Sequence, residues 1–139
     1  MEYRKFGDKY VIRMDKGEEI VSTLMNFCKE QGIKLGKVSA IGAVNKVTIG
    51  LFKTSEKKYY SSELTGDFEI TGLNGNISTM KGETYLHLHV SIADEKHHVY
   101  GGHLNSAVVS ATCEMIVDVV DGAIDREFSE EIGLNLIKF

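Results

Sequence analysis

The sequence predicts an α+β fold, with one main helix packed on a mostly antiparallel, strongly curved sheet of seven to eight strands. Apolar residues recur at helical spacing in only one stretch, from Gly17 to Gln31. After Gly32 the apolar pattern changes to the period of two that is typical of strands. The connections between the strand candidates are too short to hold crossover helices, so neighbouring strands should run antiparallel.

Length and composition favour a single domain covering residues 1–139. A folded chain of 15.4 kDa buries about two-thirds of its extended surface, which is enough for one core. The net charge of −4 leaves no basic surplus for a nucleic acid. No apolar run could span a membrane, and the N-terminus lacks the apolar segment of a signal peptide, so we expect a cytoplasmic protein. Cys28 and Cys113 lie in apolar stretches and should be core residues without a disulfide.

The helix has recognisable ends. Glu18 and Glu19 fall at its first turn, where the helix dipole favours acidic side chains. Gly32 follows the last turn, where a left-handed capping residue is expected. The apolar stripe that should face the sheet consists of Ile20, Val21, Leu24, Met25, Phe27 and Cys28.

The remaining elements are strand candidates separated by turns that carry glycine, asparagine or aspartate, because the chain has no proline. They are Lys9–Met14, Val38–Ile41, Val47–Phe52, Lys58–Glu63, Phe68–Asn76, Thr84–Ala93, His97–His103, Val108–Val119 and Ala123–Phe128. Several of them are apolar on both faces, and one helix cannot cover so much surface. The sheet should therefore close as a barrel, pack against other subunits, or do both in part, and we expect an oligomer.

Three histidines form the strongest chemical pattern. The strand period puts His87 and His89 on one face, about 7 Å apart. If Asp94 to Lys96 form the turn, His87 lies opposite His103 and His89 lies opposite Gly101. This register also keeps the apolar residues of both strands on the other face.

Three imidazoles at such spacing can converge on one ion and leave a fourth position open, which resembles a catalytic or exchangeable zinc site. Nickel, copper and iron also accept imidazole. The alternative is that His87, His89 and His103 are ordinary half-buried strand histidines. His97 and His98 lie at the rim of the hairpin and should be turn residues.

Other segments give weaker signals. The stretch Gly72–Asn76 is rich in glycine, but no helix follows it, so a turn or bulge is favoured over a phosphate site. Glu83 or Glu114 could act as a general base beside a metal, although nothing in their spacing requires it.

The residues that carry chemistry also carry a family resemblance. The segments involved are Ile41–Val44, Gly66–Ile70, His87–His89, Gly101–Leu104 and Gly133–Leu134. Together and in this order they resemble the plant and prokaryote conserved (PPC) domain, also called DUF296. The resemblance runs from about Gly17 to the end of the chain and is to the stand-alone prokaryotic type.

The resemblance implies an antiparallel sheet with one main helix, assembled as a homotrimer. It also implies that His87, His89 and His103 hold a metal, usually zinc, near a subunit interface. Plant members carry the domain after AT-hook motifs, which need an Arg-Gly-Arg-Pro core that this chain lacks.

The leading hypothesis is a trimeric metal-binding domain of unknown activity. The alternatives are a DNA-associated regulator, a metal-dependent enzyme acting on a small ligand, and an assembly module without a ligand. DNA binding would need a basic surface made in the trimer from Arg4, Lys5, Lys53, Lys57 and Lys58.

Overall fold

The computed structural model describes all 139 residues, which form eight strands and one helix. In chain order the elements are β1 (Glu2–Phe6), β2 (Lys9–Asp15), α1 (Ile20–Gln31), β3 (Gly36–Lys53), β4 (Lys58–Met80), β5 (Glu83–Ala93), β6 (Val99–Val119), β7 (Arg126–Ser129) and β8 (Leu134–Ile137). Every strand pairing is antiparallel, as the sequence predicts. The helix is too short to cross a membrane.

The main sheet has six strands in the order β1-β2-β6-β3-β4-β5, and β5 also pairs with β6. This extra pairing closes β3, β4, β5 and β6 into a ring, so the barrel expected from the two-sided apolar strands is present. The length of β6 makes the closure possible. Its first residues pair with β5, its later part pairs with β3, and its final residues also pair with β2.

The core consists of 25 buried hydrophobic residues, all from the main sheet and the helix except Ile33, which lies just after the helix. The helix packs against β5 and β6 and buries Ile20, Leu24, Phe27 and Cys28. Gly32 caps its C-terminus in the left-handed conformation, at φ 67°. The prediction for this cap is therefore confirmed.

The start of the helix differs from the prediction. The helix begins at Ile20, and Glu19 is its N-cap rather than a first-turn residue. The Glu19 carboxylate accepts hydrogen bonds from the backbone N–H groups of Val21, Ser22 and Ala107. One side chain thus satisfies free donors of the helix and also ties the helix to β6.

Three pairs of predicted strands are in fact single long strands. The segments proposed around Gly42 join in β3, those around Gly66 join in β4, and those around Asn105 join in β6. Register shifts interrupt the ladders at several points, for example between Ala40 and Gly42. Such bulges bend a strand and break its alternation without ending its pairing, so the pattern reads as two strands.

The two ends of the chain also differ from the prediction. Strand β1 is exposed at every residue and therefore has no apolar alternation to reveal it. The predicted strand Ala123–Phe128 is the shorter β7, which pairs with β8 in a separate two-stranded sheet.

Candidate metal centre

The barrel brings His87, His89 and His103 together on its outer face. His87 and His89 come from β5, with Leu88 between them buried in the core. In the structure His89 lies directly opposite His103. The predicted pairs His87 with His103 and His89 with Gly101 are therefore wrong.

The reason for this error lies in the turn. The connection runs from Asp94 to His98, five residues instead of three, and β6 begins at Val99. The longer turn displaces the register by two residues. Because side chains alternate with a period of two, such a displacement leaves all three histidines on the same face.

The three side chains form one compact group. One ring nitrogen from each of His87, His89 and His103 lies within 4.8 Å of the other two. The Nε2 atoms of His87 and His89 are 3.3 Å apart, and the three ring centroids are separated by 5.1 to 5.6 Å. His87 and His103 are half-buried, whereas His89 is exposed, so the group opens to solvent on one side.

The surroundings keep two of these rings neutral. Burial lowers the pKa of His87 below its usual range, and the positive charges that His103, Arg126 and His89 can carry lower it further. Burial, followed by the neighbouring His89, lowers the pKa of His103 as well. Neutral imidazole is the form that has a lone pair for a metal.

Tyr59 forms one wall of the group. Its ring stands edge-on to His103, with centroids 6.0 Å apart, and its hydroxyl donates a 2.6 Å hydrogen bond to Asn105 Oδ1. Gly50 pairs with His103 across the ladder, and a side chain at Gly50 would collide with the Tyr59 ring. A glycine is therefore needed at this position for Tyr59 to reach the site.

A buried arginine also lies near the group and influences His87. Arg126 is 6% exposed and donates hydrogen bonds to Ser78 Oγ (2.8 Å), Asn135 O (2.9 Å) and Asn76 Oδ1 (2.9 Å). Its guanidinium also lies over the ring of Tyr85, 4.7 Å from the centroid. Asn76 is directly opposite His87 in the ladder, so the arginine reaches the histidine group through this asparagine.

The other candidates lie outside the group. His97 and His98 belong to the turn, where His97 has a φ of 64° and the His98 backbone donates to Asp94. Glu83 is exposed and lies 3.8 Å from the Lys29 ammonium. Glu114 is exposed and lies on the part of β6 that contacts β2. In the strand register it is opposite Arg13 on β2 and Ile41 on β3.

Two further predictions concern structural residues. Cys28 and Cys113 are buried free thiols, and burial raises their pKa values to about 12 and about 11, respectively. The segment Gly72–Asn76 is part of β4 and not a turn, although a bulge does occur between Ile70 and Gly72.

Sequence reasoning missed Arg126, Asn76 and Tyr59. Alternation on β4 could have placed Asn76 on a polar face, but only the β4–β5 register shows that this face includes His87. Arg126 gave no signal, because it is the first residue of a short strand with no clear alternation.

The donor set fits a borderline divalent ion. Imidazole nitrogens suit zinc, nickel, copper or iron, and the group contains no thiolate or carboxylate. Three protein ligands are fewer than the four of a closed structural zinc site, so one position would remain for another ligand.

Comparison with solved structures finds the same fold in several proteins. A candidate DNA-binding protein from Bacteroides thetaiotaomicron is 36% identical, with a TM-score of 0.97 over 99% of this chain and 96% of that one. A metal-containing protein from Archaeoglobus fulgidus is 35% identical, with a TM-score of 0.88 over 99% and 97% of the two chains. A plant- and prokaryote-conserved (PPC) protein from Pyrococcus horikoshii is 32% identical, with a TM-score of 0.87 over 99% and 95%.

Comparison with curated proteins finds the bifunctional protein GlmU of a Synechococcus strain, 28% identical over 110 residues. The match covers 78% of this chain but only 16% of that protein, so the chain corresponds to a small part of it. The model of the Plants and Prokaryotes Conserved (PCC) domain matches residues 1–121. The chain belongs to this family.

Proposed function

We propose that this protein binds one divalent transition metal ion through His87, His89 and His103, and that zinc is the first candidate for this ion. The observation that carries the proposal is the convergence of one nitrogen from each histidine within 4.8 Å. A hydrogen bond between the Nε2 atoms of His87 and His89, 3.3 Å apart, would explain the orientation of those two rings but not the approach of the His103 nitrogen to both. The Archaeoglobus fulgidus relative that is described as metal-containing supports the same conclusion.

A bound ion of this kind would act as a Lewis acid toward a ligand at the remaining position. The protein would hold the ion with neutral ligands, so the ion would keep its full charge. A metal-dependent enzyme acting on a small ligand is compatible with this arrangement. Turnover that is lost in His87→Ala and kept in His97→Ala would support that extension.

The functional form would be a homotrimer. The outer face of β2, β3 and β6 exposes a patch of three apolar side chains, Val11, Ile41 and Ile116, which are 47%, 59% and 47% exposed. Val11 is directly opposite Ile116, so the patch is continuous across the strands. Such a patch would favour contact between subunits over contact with water.

The decisive experiment is elemental analysis of the untagged protein, purified without chelators. We expect about one metal ion per chain in the wild type and none in the double variant His87→Ala/His89→Ala. The matched control is His97→Ala/His98→Ala, which removes two nearby histidines outside the group and should keep its metal. No metal in the wild type, or equal loss in both variants, would contradict the proposal.

DNA binding is the second candidate, because the Bacteroides thetaiotaomicron relative is described as a candidate DNA-binding protein. Lys5 is in register with Tyr10 on β2, whereas Lys53 and Lys58 flank the turn at the far end of β3. One chain therefore has no continuous basic stripe, and only an assembly could make one. A mobility shift with duplex DNA that weakens as salt rises would support this function, and no shift at low salt would count against it.

A further inference from the structure

The buried Arg126 guanidinium is a positive charge that the protein does not neutralise. Its three hydrogen-bond acceptors are a hydroxyl, a backbone carbonyl and a side-chain amide, all of them neutral. None of the ion pairs of the protein includes Arg126. A buried charge without an opposite partner is costly, and proteins usually pair such groups.

The carboxylates that flank Arg126 in the sequence are engaged elsewhere, because Asp125 accepts a hydrogen bond from Thr79 and Glu127 pairs with Lys138. The histidine group contains no carboxylate, and no carboxylate is among the groups that shift the pKa of His87 or His103. With a divalent ion on three neutral histidines, the local charge would be about +3 including Arg126. Water screens such a charge weakly where the groups are half-buried, so an anion should be attracted strongly.

We infer that the site takes a small oxyanion, a carboxylate or a phosphate group, as the partner of the metal, and that Arg126 is the fixed charge that favours it. This inference rests on the proposed metal function. His89 leaves the group open to solvent on one side, which provides a path for such a ligand. Arg126 acts here from its buried position, as a source of positive potential held in place by Ser78, Asn76 and Asn135.

The test uses cobalt(II) in place of zinc, because its visible absorption reports on its ligands. The purified full-length protein is loaded with one equivalent of cobalt(II) and titrated separately with acetate and with inorganic phosphate at constant ionic strength. We expect a saturable spectral change. A response to acetate alone would identify a carboxylate ligand, a response to phosphate alone a phosphate ligand, and a response to both the shared oxyanion chemistry.

Two variants separate the charge of Arg126 from its structural contacts. Arg126→Gln keeps hydrogen-bonding capacity without the charge, and it should weaken anion binding about tenfold. The same variant should bind cobalt at least as tightly as the wild type, since a repelling charge is gone. Arg126→Lys keeps the charge and should bind the anion nearly as well as the wild type.

Several results would overturn the inference. The first is the absence of any spectral response to either anion, and the second is an unchanged anion affinity in Arg126→Gln. The third is a parallel loss of cobalt and anion binding in Arg126→Gln, which would indicate that the arginine has only a structural role. In the first two cases cobalt still binds, so the proposed metal function stands. If the wild type takes up no cobalt, the metal function fails and the inference fails with it.

Discussion

The imidazole rings of His87 and His103 connect the site to the stability of the protein. Burial lowers both pKa values in the folded state, whereas the unfolded chain keeps a value near 6.5. As the pH falls through 6.5, the unfolded chain therefore takes up protons that the folded protein resists. The free energy of unfolding of the metal-free protein should decrease in this range and level off above it.

This pH dependence can be measured as the thermal unfolding midpoint of the metal-free protein between pH 7.5 and 5.5. We expect the midpoint to fall with pH in the wild type and to fall less in His87→Gln/His103→Gln. The window stays above the range in which the acidic groups with lowered pKa values titrate, such as Asp15 and Glu56. Equal slopes in the two proteins would show that these histidines are not responsible.

At the level of single residues, the sequence predicts the group of three histidines but not its surroundings. Alternation alone places His87 and His89 on one face of β5. His103 is predicted on the same face even though the predicted turn length is wrong. Arg126 lies in β7, in a different sheet from His103 on β6, so no local sequence pattern relates the two. A contact made through Asn76 depends on three strands at once and can only be seen in the folded chain.

Strands β4 and β5 approach each other closely at Gly75. A Cβ atom there would collide with the carbonyl oxygen of His87 and with the backbone of Leu88. Gly72 lies on the same strand, and the nearest atom to its Cβ would be Asn74 Nδ2 at an ordinary 3.6 Å. The two glycines therefore form a matched pair for testing this close approach.

We expect Gly75→Ala to lower the free energy of unfolding by about 1–3 kcal/mol, because the clash forces β4 away from β5. Its metal content should fall as well. Gly72→Ala should change stability by less than about 1 kcal/mol. Urea unfolding followed by circular dichroism, with metal analysis of the same samples, measures both effects. Equal stability of the two variants would show that β5 adjusts freely at this point.

The helix and the antiparallel strands were predictable because each has a periodic apolar face. The lengths of the strands were not, since bulges break the alternation where the ladder continues. The register of β5 on β6 depended on a turn in which His97 takes a positive φ. Such a conformation is uncommon for residues other than glycine, so the sequence favoured a shorter turn.

For the whole molecule, the outer apolar patch is the feature with the widest effect. If Val11, Ile41 and Ile116 form a subunit contact, a carboxylate in the patch would be buried without a partner. We expect Ile116→Glu to shift the protein from trimer to monomer, measured by light scattering after size-exclusion chromatography. Ser22→Glu, on the exposed face of the helix, is the control and should remain trimeric. A trimeric Ile116→Glu would place the contact elsewhere.

Strand β2 lies between β1, at the start of the sequence, and the final part of β6. Among the strands it pairs only with β1 and β6, and its register on β6 runs from Lys9 with Asp118 to Asp15 with Thr112. During synthesis the hairpin of β1 and β2 can contact α1 early, but it has no further strand to pair with until the end of β6 has been made. Contacts between such distant residues are slow to form. The hairpin of β1 and β2 is thus made first, but it can complete its pairing with the main sheet only after β6 has been made.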